Sequence, residues 1–169
     1  MLSSWRGVLA VALMAALPLD VMSADLTIGF AGTDNIKFGA PLSKIRVRLE
    51  LPIQKFDQDP RGRSFYAYPE NDKRYSLMFI EDGLVRIDVM QPGLRTADGV
   101  EVGDPVSKVR EIYGQAIKDE LDAYDDGERY LTMSSSDGKF SIRFMTRDGR
   151  VSAIISGTEK SVQYVEGCL

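Results

Sequence analysis

Val100-Glu101-Val102-Gly103-Asp104-Pro105-Val106-Ser107-Lys108-Val109-Arg110 repeats, in residue character, Ile36-Lys37-Phe38-Gly39-Ala40-Pro41-Leu42-Ser43-Lys44-Ile45-Arg46. In both stretches an apolar-charged-apolar triplet runs into Gly, then X-Pro, then apolar-Ser-Lys-apolar-Arg. The glycines lie roughly 64 residues apart, a spacing that marks repeated supersecondary units. Downstream, Phe79-Ile80-Glu81-Asp82-Gly83-Leu84-Val85 is answered by Phe144-Met145-Thr146-Arg147-Asp148-Gly149-Arg150-Val151. The chain therefore reads as a duplication, residues 25–98 and 99–169, joined without a flexible linker into one compact domain.

Each phrase reads as a strand entering a helix. Asp104 is placed to cap the first-turn N–H groups, and Pro105 fits the first helical position. Val106, Val109, Ile112 and Tyr113 then recur at helical spacing, and Gly114 supplies a stop. In the first copy Leu42, Ile45 and Leu49 form the stripe and Pro52 closes it, with Ala40 where the second copy has Asp104.

Leu26, Ile28 and Phe30 alternate as a short lead-in strand before a Gly-Thr-Asp-Asn turn. Gln54 to Arg63 is polar and reads as a loop. Ser64 to Tyr68, Tyr75 to Glu81 and Leu84 to Met90 follow as an antiparallel meander, with Asp82-Gly83 as a hairpin turn. After the second helix, strands are expected over Gln115 to Leu121, Glu128 to Ser134, Lys139 to Thr146 and Arg150 to Ser156, turning at Asp137-Gly138 and Asp148-Gly149. Val162 to Val165 suits a last short strand. The expected fold is α+β: a tandem repeat of helix plus antiparallel β-meander, with both helices on one face of a shared twisted antiparallel sheet.

Period two assigns the faces. Phe140, Ile142 and Phe144 point one way and Arg143 and Met145 the other; Val85, Ile87 and Val89 oppose Leu84, Arg86, Asp88 and Met90. Arg86, Asp88, Met90, Arg143 and Met145 are thus candidate binding residues on an open face. They are equally what any half-solvated strand would carry. Tyr66, Tyr68 and Tyr75 are the second candidate group, able to stack on a sugar or anchor a partner, or to serve as ordinary sheet aromatics.

Composition narrows the chemistry. The 169 residues suit one ordinary domain, the formal net charge of −4 comes with no cluster of Lys and Arg, and there is no histidine. Nucleic acid is therefore a poor partner, and histidine-based catalysis, metal ligation and pH switching are excluded. Asp122 to Met133 imitates a calcium loop but carries Tyr124 and Met133 where oxygen ligands belong. Ser136 and Lys139 have the Ser-x-x-Lys spacing of acyl enzymes but flank a hairpin turn. Asp82, Asp88, Glu101 and Asp104 could in principle supply a carboxylate-only glycoside hydrolase, without a spacing that singles out a pair. No cofactor or metal is expected.

The N-terminus reads as a signal peptide over residues 1–24. Arg6 supplies the positive region, Gly7 to Leu17 the apolar one, and Val21-Met22-Ser23-Ala24 suits cleavage after Ser23 or Ala24. The mature chain is then periplasmic or secreted, with no stable membrane span. Cys168 is a lone cysteine, read as buried, free or linked to another chain.

The two Gly-x-Pro phrases resemble the helix entry of exported tandem-repeat proteins of the β-lactamase inhibitor protein type and of the SmpA/OmlA envelope lipoproteins. The ending Tyr164-Val165-Glu166-Gly167-Cys168 is also similar to that of an uncharacterised group of small bacterial exported proteins. Ala-Pro and Asp-Pro stand where that family has Met-Thr, and Ser64 stands near its expected Cys, so its disulfide does not carry over; nor does β-lactamase inhibition, since no contact residue of that family matches a position here. The resemblance implies the fold, export and an affinity for macromolecular or envelope partners. The functional expectation is a non-catalytic binding module for a protein or cell-envelope component, with carbohydrate binding and, behind it, glycoside hydrolysis as alternatives.

Overall fold

The computed structural model describes residues 26–49, 52–124 and 127–165, with the side chains of residues 57 and 58 left aside. It is an α+β fold dominated by one antiparallel sheet. The elements run β1 (Thr27–Gly29), β2 (Gly32–Thr33), α1 (Leu42–Leu49), β3 (Ile53–Gln58), β4 (Ser64–Pro69), β5 (Tyr75–Ile80), β6 (Gly83–Val89) and β7 (Arg95–Thr96). After these come α2 (Val106–Tyr113), a 3-10 turn (Gly114–Ala116), β8 (Lys118–Leu121), β9 (Arg129–Ser134), β10 (Phe140–Arg147), β11 (Arg150–Thr158) and α3 (Glu159–Val162). The large sheet has the order β3-β4-β5-β6-β11-β10-β9-β8. Its two ends are therefore successive meanders, meeting where β6 pairs with β11.

The hairpins form where the turn chemistry puts them. Asp82 and Asp148 both take positive φ, 67° and 52°, immediately before glycine. Such a conformation favours Asp, Asn and Gly. The two Gly-x-Pro phrases make the same backbone contacts. Gly39 N–H donates to Leu84 O at 2.7 Å and Leu84 N–H to Ala40 O at 3.0 Å. Gly103 N–H donates to Val151 O at 2.8 Å and Val151 N–H to Asp104 O at 2.8 Å. Pro41 bridges Gly83 and Pro105 bridges Arg150.

Leu42 and Ile45 of α1 and Val109 of α2 are buried in a single cluster with Phe65, Leu77, Phe79, Ile87, Leu131, Ile142, Phe144 and Ile154 of the sheet. Phe79 stacks on Phe65, ring centroids 4.9 Å apart, and Phe144 on Tyr113 at 5.6 Å.

Several local expectations are corrected. The polar run beginning at Gln54 is not all loop: Ile53–Gln58 pairs with β4 as an edge strand. Its polar residues belong there because an edge strand faces solvent along one side. Gln115 to Leu121 is not one strand; a 3-10 turn takes residues 114–116 and β8 begins at Lys118. Val162 to Val165 is not a strand, since α3 starts at Glu159 with the Thr158 side chain accepting from Ser161 N–H. The triplets before each Gly are not regular strands and contribute only isolated bridges at Lys37 and Glu101.

Asp104 does not cap α2. Its carboxylate reaches back to accept from Glu101 N–H at 2.8 Å and meets Lys108 Nζ at 2.7 Å. Burial works to raise its pKa, but the Lys108 and Glu101 bonds outweigh that and hold it below the usual range. Finally, Leu84 is not on the second face. A register shift between Met78 and Phe79 opposite β6 turns Leu84 into the main core and leaves Val85 packed on the other side. One extra residue in a ladder reverses the alternation beyond it. The expected signal peptide, Asp125, Asp126 and Cys168 lie outside the described residues. Among the described residues no helix is long and apolar enough to cross a membrane.

Candidate functional site

Alternation along β6, β10 and β9 brings Arg86, Asp88, Arg143, Met145, Tyr130 and Thr132 to the sheet face turned away from the main core. Arg143 lies opposite Thr132 on β9 and Ile155 on β11, and Ile155 lies opposite Asp88 on β6. Tyr66, Arg86, Asp88, Met90, Arg143 and Met145, six of the eight residues expected from the sequence, line one cavity of about 360 Å³ with Tyr130, Ile155, Tyr164 and Val165. This volume lies at the small end of ligand pockets.

The face is not open at this point, which corrects the expectation of solvent-facing charges. Arg86, Asp88 and Arg143 are 5%, 6% and 4% exposed. The cover is the chain after β11. Gly157, opposite Arg86, makes room for it: a Cβ there would stand 2.6 Å from Val85 O and 2.7 Å from Ser161 Oγ. From this cover Ser161 and Tyr164 offer backbone carbonyls, which Arg86 Nη1 reaches at 3.0 and 2.9 Å.

Both terminal nitrogens of Arg86 are fully engaged. Its Nη2 donates to the Tyr66 hydroxyl and, at 3.1 Å, to Asp88 Oδ2, while Nε stands 2.8 Å from Asp88 Oδ1. The last contact is an ion pair without hydrogen-bond alignment, leaving both atoms formally unbonded. Burial pushes the Asp88 carboxyl up and Arg86 opposes it; burial tends to lower Arg86, but Asp88 and Tyr66 raise it.

Arg143 is different. Its Nε donates to Thr132 Oγ1 at 3.1 Å and its Nη2 to Gln163 Oε1, and its guanidinium carbon lies 4.6 Å from the centre of the Tyr130 ring. No carboxylate among the described residues comes within ion-pair distance. Burial pulls its pKa down, with Glu120 and Glu159 opposing from farther away. Tyr130, also buried, has a hydroxyl that makes no well-aligned hydrogen bond among the described residues, with Asp122 and the Ala123 backbone as its polar neighbours. Burial raises its pKa, and nearby Asp122 adds to that.

The three tyrosines do not form one group. Tyr66 faces the cavity. Tyr68 lies farther out, its hydroxyl donating to Gln54 Oε1 at 3.1 Å and its ring 5.2 Å from Phe56. Tyr75 points into the main core, 4% exposed, and burial pushes its phenol up to about 12. On β5 it shares a face with Leu77 and Phe79, so parity from those residues would have placed it there. Sequence reasoning missed Tyr130, whose signal was its position two residues before Thr132 on the face of β9 that meets Arg143. It also missed Gln163 and Tyr164, which no strand periodicity could place.

A larger cavity of about 630 Å³ shares Tyr164 and Val165 with this one and is otherwise lined by Asp59, Arg63, Ser64, Met78, Ile80, Glu81, Tyr124 and Gln163. Its buried polar residue is already used, since Ser64 Oγ donates to Asp59 at 2.9 Å. Arg63 and Glu81 at its rim are exposed. The smaller cavity alone has buried charge at its base. Among the described residues no group of acidic or cysteine side chains is arranged to hold a metal ion.

No family model and no curated protein matches the sequence. Among solved structures, the uncharacterized protein yfeY from Escherichia coli is similar, with 16% sequence identity and a TM-score of 0.48. The match covers 79% of this chain and 97% of that one.

Proposed function

We propose that this chain is an exported, non-catalytic binding module that engages a protein or cell-envelope component through the sheet face bearing Arg86, Asp88 and Arg143. The observation that carries this reading is the cavity itself: strands from both ends of the sheet, and the segment after β11, converge on buried charge flanked by Met90, Met145 and Ile155. Adaptable apolar walls around a few fixed polar groups are the usual make-up of a binding pocket. The candidate carboxylates support binding over hydrolysis, since Asp88 is paired with Arg86, Glu101 with Arg95 and Asp104 with Lys108, and Asp82 is exposed at a hairpin turn.

The reading includes the duplication, with both helices on one sheet face. It is supported by the matching contacts of the Gly39 and Gly103 phrases and by the cluster that Leu42, Ile45 and Val109 share. It also includes export, supported by the residues before Asp25. The protein recovered from the periplasm or medium should then begin at Ala24 or Asp25, and an intact N-terminus in that fraction would contradict this.

The test is site-specific photo-crosslinking in living cells. A photoreactive side chain at Met90 or Met145 should give a discrete adduct, whereas one at Val47, 77% exposed on α1, should not. Adducts from Val47 alone, or none from Met90 and Met145, would overturn the assignment of this face. Carbohydrate binding keeps one specific observation in its favour. Phe56, 41% exposed, packs against both Tyr66 and Tyr68 beside the Gln54 amide, giving an aromatic surface with a polar neighbour.

A further inference from the structure

The two arginines at the base of the cavity are equally buried but not equally neutralised. Arg86 has Asp88 and two backbone carbonyls. Arg143 has only a threonine hydroxyl, a glutamine amide oxygen and the face of a tyrosine ring. Neutral acceptors leave its charge uncompensated in a site largely withdrawn from water. A lone buried charge of this kind is costly and is ordinarily matched by an opposite one.

Among the described residues, the nearest candidates are committed or distant. Asp88 lines the same cavity but belongs to Arg86. Glu120 pairs with Lys118 at 2.9 Å, and Glu159 accepts from Gln163 at 3.4 Å. Arg143 Nη1 makes no hydrogen bond among the described residues and, unlike Arg86 Nε, is not closed off from solvent, which leaves its N–H groups open to the cavity. Around it, Met90, Met145, Ile155 and Val165 give the cavity an apolar wall.

We infer that the cavity binds a carboxylate carried on an apolar body, the carboxylate on the Arg143 guanidinium and the body against Met90, Met145, Ile155 and Val165. This rests on the reading of this face as the binding surface and names the chemistry it selects. Alkyl carboxylates and apolar peptide C-termini share that chemistry. A guanidinium–carboxylate bond is charge-assisted and gains from the dry surroundings, while the methionines adapt to the shape of the body.

The experiment is calorimetric titration of the full chain with octanoate, methyl octanoate, N-acetyl-Val-Leu acid and the corresponding amide. Binding of octanoate but not of its ester, weakened at least about tenfold by Arg143→Met, is the expected result. Preference for the peptide acid over its amide, with octanoate inactive, would assign the peptide source. Arg143→Met removes a buried charge and keeps an apolar side chain of similar length, so it should fold. Met145→Glu offers an independent route, since it places a carboxylate in the cavity next to Arg143 and should abolish octanoate binding.

Equal binding of octanoate and its ester, or unchanged affinity in both variants, would overturn the carboxylate assignment and leave the cavity standing as a binding site. No binding of any probe, with the Met90 and Met145 adducts still formed in cells, would overturn the inference while the proposed surface survives. No binding and no adducts would overturn both.

Discussion

Asp88→Ala is expected to lower the free energy of unfolding by about 3–5 kcal/mol, because it leaves the Arg86 guanidinium buried without its counter-charge. Arg86 Nε and Nη2 both face this carboxylate, and the pair is 5% and 6% exposed. The Ser161 and Tyr164 carbonyls that Arg86 also holds are neutral, and water entering from the cavity replaces the lost counter-charge only in part. The loss should appear in urea denaturation as a lower midpoint at unchanged slope. Replacing both partners, Arg86→Met with Asp88→Leu, should cost less than Asp88→Ala alone, since no charge is then stranded. A loss below about 1 kcal/mol for Asp88→Ala would mean that Arg86 is solvated and the cover over it readily opens.

Phe79→Ala and Phe144→Ala should each cost about 3–5 kcal/mol, the usual range for emptying a fully buried aromatic site. Both side chains are 0% exposed, one on each side of the β6–β11 join, and they belong to one cluster. The more informative readout is cooperativity. A shared core makes each substitution lower the same single thermal transition, monitored by near-ultraviolet and far-ultraviolet circular dichroism together. If Phe79→Ala split the melt into two steps and left the second unshifted, the two ends of the sheet would be separate folding units.

The elements that the sequence made legible are those set by local chemistry. Asp-Gly at 82–83 and 148–149 fixed two hairpins, and alternation in Phe140 to Met145 assigned both faces of β10. Where a polar strand borders solvent, as at Gln54 to Gln58, composition imitates a loop and only pairing with β4 reveals the strand. Leu84 and Val85 were assigned to the wrong faces because the register shift beside them belongs to the contact between β5 and β6, not to either strand alone.

The candidate site was legible as a set of residues but not as an environment. Period two collected Arg86, Asp88, Met90, Arg143 and Met145 on one face. It could not show that residues 159–165 fold back over them, some 75 positions downstream of Arg86, and turn exposed charges into buried ones. Tyr75 was joined to Tyr66 and Tyr68 by residue type when strand parity separates them. Asp104 had the right residue type for a cap, yet Lys108 one turn along and Glu101 N–H behind it offered closer partners.

Only four residue pairs, Val89–Ile154 to Arg86–Gly157, join β6 to β11, against eight between β10 and β11. The cavity straddles that short ladder, with Arg86 and Asp88 on one bank and Arg143 and Met145 beyond the other. Any occupant touching both banks is a clasp across the one ladder that joins the two meanders. Its binding free energy is then also resistance to parting the two ends, and it grows with the logarithm of occupant concentration. Slower deuterium uptake at the Ile87 and Val89 amides, with β3 and β8 unaffected, would be the visible mark of a loaded clasp.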